Sequence, residues 1–305
     1  MVTATFRFYD ELNGFLPRAR RGREFATPCA RAATVKHMIE ALGVPHTEAA
    51  LVLVNGESSG FGRLLEEGDR VAVYPRFGML DVRSLSRLPQ PPHMVQESQG
   101  SQGSQQPQQP HDSRIALRFV ADAHLGGLAR LLRMAGFDTL YDNGYRDDEI
   151  VAIAARDDRI VLTRDRELLK RRAVSRGCYL HAIKPEIQFR ELFERLSLAP
   201  GAQPFSLCLH CNLALRAVDK ALVLDALPLS VRELHEEFTT CEACRRVYWK
   251  GSHHKRMRAL LDTLTGGAMA AAHDDAAAPR NQEPHSAPGG PETDATHRAG
   301  GGPQA

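Results

Sequence analysis

Between Pro89 and Ser113 the chain reads PQPPHMVQESQGSQGSQQPQQPHDS, and this tract sets the terms for everything around it. It offers almost no apolar surface to bury, so it cannot offset its ordering entropy and reads as a flexible linker. The 305 residues therefore divide into an N-terminal unit over 1–82, a linker over 83–113 and a C-terminal part starting at 114. A second tract, rich in Ala, Gly, Pro and His, gives a disordered tail over 263–305, whose histidines read as compositional. A linker of about 25 residues has a root-mean-square reach of roughly 25–30 Å, so the N-terminal unit is expected to move independently. The longest apolar stretches, such as Ala49 to Val54, fall far short of the roughly 20 residues a membrane span needs. Arg7, Asp10, Glu11 and Arg18 interrupt any secretory leader in the first 23 residues. No membrane partner is expected, and the expected location is cytoplasmic.

In the N-terminal unit, Ala4 to Tyr9 is rich in β-formers. Val35, Met38, Ile39 and Leu42 follow at helical spacing and stop at Gly43. Strands are predicted at Ala50 to Val54, before the turn Asn55-Gly56, and at Arg70 to Tyr74, after Glu67-Gly68-Asp69. This order, with L-V-L-V-N-G and E-G-D-R-V-A-V-Y-P in those places, resembles the β-grasp ubiquitin-like fold and its sulfur-carrier branch. Sulfur carriers expose a Gly-Gly carboxyl terminus, whereas this segment ends Pro75-Arg76-Phe77-Gly78-Met79 and runs into the linker. Docking, onto another protein or onto the rest of this chain, suits the unit better than carrier chemistry.

After the linker, Ile115 to Ala121 reads as a strand ending at Asp122, and a helix follows over His124 to Met134. A second strand is predicted at Asp138 to Tyr141, a third at Ile160 to Thr163 and a fourth at Cys178 to Ile183. The acids Asp147, Asp148 and Glu149 open the helix after the second strand, where negative charge suits the macrodipole. Strands alternating with helices imply an α/β unit with a parallel sheet. In such sheets ligands bind beyond the carboxyl ends of the strands, which is where Asp122 and Asp165 fall. Carboxylates gathered at one edge repel unless protonated or bridged by a cation. Magnesium or manganese suits such oxygen ligands, and could position a water for attack on a phosphodiester. The plainer reading has Asp147 or Asp148 as a helix cap and the strand-ending aspartates as turn residues. No Gly-x-Ser-x-Gly elbow and no phosphate-binding Gly-rich loop ending in Lys-Ser/Thr is found.

Further on, Cys208-x-x-Cys211 and Cys241-x-x-Cys244 are separated by 29 residues, room for a helix near Ser230 to Phe238. Four thiolates from two such knuckles suit tetrahedral structural zinc. His210 and His253 are spare ligands that a full set of four cysteines makes unnecessary. Cys29 and Cys178 stand alone and read as buried thiols. Arg245, Arg246, Lys250, Lys255 and Arg256 follow the second knuckle around Trp249, the only tryptophan. Cations interleaved with an aromatic suit single-stranded nucleic acid, although Trp249 fits equally well as packing over the knuckle. A second basic cluster, Arg164, Arg166, Lys170, Arg171 and Arg172, flanks the acids; such a run is usually a solvated helix face.

The segments FVADAHLGGLARLLRMAGFDTLY (119–141), DDEI (147–150), IVLTRDRELLKR (160–171) and YWKGSH (248–253) look like the PIN-like ribonuclease domain named after the C-terminal region of the mut-seven exonuclease. The resemblance covers roughly 114–258, and the family is also known with a ubiquitin-like domain in front. It implies a PIN-like domain over 114–200 with a zinc-ribbon extension over 201–262. It also implies a metal-dependent ribonuclease in which Asp122, Asp165 and either Asp148 or Glu149 hold magnesium or manganese. No fourth acid stands out after Asp165. The rival from another class is a non-catalytic RNA- or ribosome-binding adaptor with the same shape. A sulfur-transfer partner is a third reading, resting on the N-terminal resemblance alone.

Overall fold

The computed structural model describes residues 1–75, 86–88 and 117–268. The expected linker falls outside these residues apart from 86–88, and so does most of the expected tail. The end of the N-terminal unit at 76–79, which bears on carrier chemistry, lies outside them as well.

The N-terminal unit is a β-grasp. Strands β1 (Val2–Phe8) and β2 (Phe25–Cys29) form a hairpin, helix α1 (Val35–Ala41) crosses the sheet, and β3 (Ala49–Val54), β4 (Glu57–Ser58) and β5 (Arg70–Pro75) complete it. The strand order is β2-β1-β5-β3-β4, with β1 and β5 parallel. Thr34 caps α1 by accepting from His37 N–H at 3.2 Å, and Asn55-Gly56, both at positive φ, makes the tight β3–β4 turn. Phe6, Phe8, Leu12, Ile39, Val52 and Val73 form the core between sheet and helix. Strand β2, which the sequence reading passes over, is an edge in which Pro28 interrupts the β-formers.

The second unit has β6 (Phe119–Ala121), α2 (Gly126–Met134), β7 (Thr139–Tyr141), α3 (Asp147–Asp157), β8 (Ile160–Thr163), α4 (Arg166–Lys170), β9 (Gly177–Tyr179) and α5 (Pro185–Arg195). All four strands are parallel, in the order β7-β6-β8-β9, as the α/β reading requires. Leu128, Leu132, Phe189 and Leu192 bring α2 and α5 onto one face; Ile150, Ala154, Leu168 and Leu169 bring α3 and α4 onto the other. The strands are shorter than the sequence suggests. The first begins at Phe119 rather than Ile115, and the fourth ends at Tyr179 rather than Ile183, because Gln188 of α5 bonds back to the Ala182 and Ile183 carbonyls. Gly126 and Gly127 start α2 where a Cβ would sit 2.7 Å from the Tyr141 ring and 2.5 Å from Pro185, so side chains are excluded there.

The rest is a small antiparallel sheet of β10 (Arg216–Val218), β11 (Phe238–Thr240) and β12 (Val247–Trp249), with the short helix α6 (Leu229–Leu234) inserted before β11. The predicted helix at 230–238 is therefore cut short, because Phe238 is buried in the sheet opposite Trp249. Helix α7 (Ser252–Thr265) closes the unit by placing Leu261 and Leu264 in the same core as α5. The expected tail thus begins with a helical turn, 263–265, rather than with disorder. Among the described residues no helix is long and apolar enough to cross a membrane.

The expectation of an independently moving N-terminal unit is overturned by how the two units meet. Glu48 is 3% exposed; its carboxylate accepts from Tyr179 N–H of β9 at 2.6 Å and pairs with Arg195 at 2.5 Å. His46, also buried, places one ring nitrogen 2.7 Å from Glu40 and the other 3.0 Å from the Val174 carbonyl. Phe15 packs edge-on against Tyr179 and His181, and its carbonyl accepts from Arg166 at 3.2 Å. A buried ion pair, paired backbone groups and interlocked rings make a docked interface, whatever the reach of the connecting tract.

Candidate active site and metal centre

Adjacent strands β6 and β8 end side by side, so the residues just past them share the carboxyl edge of the sheet. Asp122 follows β6. Its Oδ1 accepts from Ala123 N–H at 2.6 Å, capping a short 3-10 turn, and its Oδ2 accepts from the Thr163 hydroxyl at 2.7 Å. Asp165 follows β8 and caps α4 by accepting from Glu167 N–H at 2.8 Å, while its own N–H donates to Thr163 Oγ1 at 2.9 Å. The fully buried Thr163 hydroxyl therefore ties both aspartates together. Sequence reasoning missed it, although the strand-ending T-R-D segment was the available signal. No described residue donates to Asp165 Oδ2.

On the other side of β6, the pairing of Ala121 with Tyr141 sets Asp142 beside Asp122. Asp142 is exposed and closes a turn by accepting from Gly144 N–H at 2.8 Å. It too escaped the sequence reading, although it repeats the pattern of an acid directly after a strand. The acids that open α3 are otherwise engaged. Asp147 meets Arg171 at 3.1 Å, Asp148 binds the same guanidinium, and Glu149 accepts from Arg146 N–H at 2.9 Å as a capping residue. The edge thus brings Asp122 and Asp165 together through Thr163. Among the described residues, no three carboxylates have their oxygens gathered closely enough to form a ready cation site.

The four cysteines do gather. The sulfurs of Cys208, Cys211, Cys241 and Cys244 all lie within 4.8 Å of one another, and Cys208 to Cys244 is 3.7 Å. Zinc–sulfur bonds of about 2.3 Å in a tetrahedron would put the sulfurs about 3.8 Å apart, so the set fits a four-thiolate metal. Burial works against the Cys208 thiolate, but hydrogen bonds from the Tyr248 hydroxyl and nearby backbone N–H groups bring its pKa down to about 6. Burial, followed by the neighbouring thiols Cys244 and Cys241, holds Cys211 up to about 12. Four sulfurs crowded this closely are what a cation would hold together. His210 and His253 are not part of the group.

This centre is keyed into the α/β unit. Asn212, in the left-handed region at φ 64, follows the first knuckle; its Oδ1 accepts from Thr139 N–H of β7 at 2.9 Å and its amide donates to Asp138. Buried Arg133 donates to the carbonyls of Thr139, Leu209 and His210. Neither residue is distinguishable in the sequence, because both act across long separations.

The nominated basic residues separate into two groups. Arg166 is held by the Phe15 carbonyl and stacks over the Phe15 and Tyr179 rings, Lys170 pairs with Glu167, Arg171 with the α3 acids, and Lys250 with Glu237. Arg164, Arg172, Arg245, Arg246, Lys255 and Arg256 are exposed. Trp249 is partly buried and abuts Gly251, where a Cβ would lie 2.8 Å from its Nε1.

Residues 117–261 match the family model of the Mut7-C RNAse domain, and residues 1–81 match that of the Mut7-C ubiquitin domain. No curated protein matches. Among solved structures, the chain is similar to the crystal structure of H. volcanii small archaeal modifier protein 1, with 20% identity over 25% of this chain and 98% of that one, at a TM-score of 0.21. It is likewise similar to SAMP1 from Haloferax volcanii, with 22% identity over 24% of this chain and 93% of that one, at a TM-score of 0.20.

Proposed function

The chain carries a Mut7-C ubiquitin domain followed by a Mut7-C RNAse domain, and on that premise we propose that it hydrolyses RNA phosphodiester bonds with magnesium or manganese held at the carboxyl edge of its parallel sheet. The observation that carries the reading is the Thr163 hydroxyl joining Asp122 to Asp165 at the ends of adjacent strands. Two acids fixed in this way are pre-organised ligands, and Asp165 keeps one carboxylate oxygen without a donor among the described residues. The third ligand is Asp148 rather than Glu149, because Glu149 closes its own helix cap. Arg171 neutralises Asp147 and Asp148, the place a divalent cation would take in this reading. A bound divalent ion supplies water activation and charge stabilisation at the leaving oxygen. The protein's own groups hold the acids in register, and exposed Arg164 and Arg172 attract the phosphate backbone.

The four-cysteine centre is assigned a structural zinc, since four thiolates leave no open position for water or substrate. The rival reading, an RNA-binding adaptor, is favoured by Arg171 occupying the α3 acids. Asp122→Asn separates the two. Cleavage of single-stranded RNA with magnesium or manganese should fall at least about 100-fold while RNA binding persists. Unchanged cleavage removes Asp122 from catalysis, and a wild-type protein that binds RNA without cutting it under either metal selects the adaptor.

A further inference from the structure

The loop joining β1 to β2 carries Arg18, Arg20, Arg21 and Arg23, four cations within six residues. It is a built loop. Asn13 donates to the Phe8 and Asp10 carbonyls at 3.1 Å each and accepts from Gly22 N–H at 2.8 Å. Arg21 Nε bonds the Leu16 carbonyl at 2.8 Å, and Arg20 stacks on Phe25. Leu12, Phe15 and Leu16 are buried beneath it. Two of the loop's acids are already engaged: Glu11 faces Arg195 at 3.4 Å, and Glu24 meets Arg70 at 2.9 Å. Arg18 and Arg23 are exposed, and neither pairs with a carboxylate among the described residues.

The position of this loop gives its charge a use. Phe15, three residues before Arg18, lies against Tyr179 and His181 at the carboxyl end of β9, and its carbonyl is bound by Arg166, the residue after Asp165. The arginine loop therefore flanks the edge that holds Asp122 and Asp165, on the side opposite the zinc ribbon. Exposed Arg164 lies on the same edge. Paired cations such as Arg171 and Lys170 have little left for an external anion, whereas these arginines are available.

We infer that the ubiquitin domain forms a second wall of the RNA track, with Arg18 and Arg23 contacting phosphates of a single strand that runs over Arg164 and the Asp122–Asp165 edge. This rests on the ribonuclease reading and extends it to a domain that reading leaves idle. Each phosphate neutralised on a single strand contributes about 0.7 to the slope of log affinity against log salt.

The test titrates the full chain with a labelled single-stranded RNA of about 20 nucleotides at several salt concentrations, without added magnesium or manganese. Arg18→Ala with Arg23→Ala should weaken binding about 10-fold near physiological salt and flatten the slope by about 1.4. Arg18→Lys with Arg23→Lys should restore both, because charge is what binds. Wild-type affinity and slope in the alanine variant overturn the inference and leave the ribonuclease reading standing. Lysine replacements as weak as alanine also overturn it, since the loss is then one of loop structure. A wild-type chain that binds no RNA overturns this inference and the ribonuclease reading together.

Discussion

Strands β7 and β9 are the two edges of one parallel sheet, and each is closed by a single side chain that accepts from its backbone: Asn212 at Thr139 and Glu48 at Tyr179. Unpaired edge groups invite pairing with another chain, so both covers answer the same need. They answer it by different chemistry. Asn212 is neutral, follows the first cysteine knuckle, and stays in place because the four clustered cysteines and Arg133 hold the knuckle. Glu48 is an ion in the core of an interface, and its value depends on Arg195, which also faces Glu11 and Glu191. The four-cysteine centre secures one edge and a desolvated charge network secures the other. Asp122 and Asp165 follow the two strands that lie between these edges.

Removing the metal is the strongest way to break the comparison. Structural zinc sites contribute about 10–16 kcal/mol of binding energy to folding, so chelation should leave residues 205–250 open to protease. Hydrogen exchange should rise at Thr139 and stay slow at Tyr179. Equal loss at both amides shows that the two edges are not secured separately.

Next in size is Glu48→Ala. It leaves the mostly buried Arg195 without its closest partner and Tyr179 N–H without an acceptor, at a cost of about 3–5 kcal/mol by chemical unfolding. Scattering should then show the N-terminal domain leaving β9. A compact variant of wild-type dimensions would mean that the apolar contacts of Phe15 hold the interface alone.

Asn212→Gly keeps the left-handed backbone and deletes both side-chain bonds, so it should cost about 1–3 kcal/mol. Asn212→Ala adds roughly 1–2 kcal/mol of backbone strain. Equal unfolding midpoints for the two would remove strain from this account.

The smallest effect is at Glu11. Burial, opposed in part by Arg195, raises its carboxyl above the ordinary glutamate value. An acid whose folded pKa exceeds its unfolded pKa binds its proton more tightly when folded. Its contribution therefore favours the fold below the unfolded value and fades as pH rises through the raised one. Glu11→Gln should raise Tm at pH 7 by no more than about 2 °C and leave it unchanged at pH 4. A fall in Tm at pH 7 would mean that the Arg195 attraction outweighs burial.

What could be read from the sequence was local. The β6 and β8 strands, the acids that follow them and the paired cysteines are patterns within a few residues. Helix α1, with Thr34 before it and Gly43 behind it, is equally local. Helix α5 was legible too, in Pro185 at its first position and Phe189, Leu192 and Phe193 at helical spacing, but reasoning from strands and acids passes over it. Glu48 with Arg195, Asn212 with Thr139, and Arg133 with the knuckle carbonyls were not legible, because a lone polar residue gives no sign of a partner 70 to 150 positions away. The candidate site divides in the same way. Its aspartates stand out in the sequence, while the threonine that joins them looks like any other β-former.

The end of α2 carries a consequence for the order in which the molecule is made. Gly136, at φ 90, leaves room for the Gln203 carbonyl, which a Cβ would approach to 2.1 Å. The Met134 and Ala135 carbonyls accept from Phe205 and Gln203. The helix is thus finished by its own neighbours at the Leu131, Leu132 and Arg133 carbonyls, and by chain far downstream at Met134 and Ala135. A nascent polypeptide that has not yet emerged through residue 205 lacks the donors that meet the Met134 and Ala135 carbonyls, so the last of α2 is completed only after the whole parallel sheet has been made.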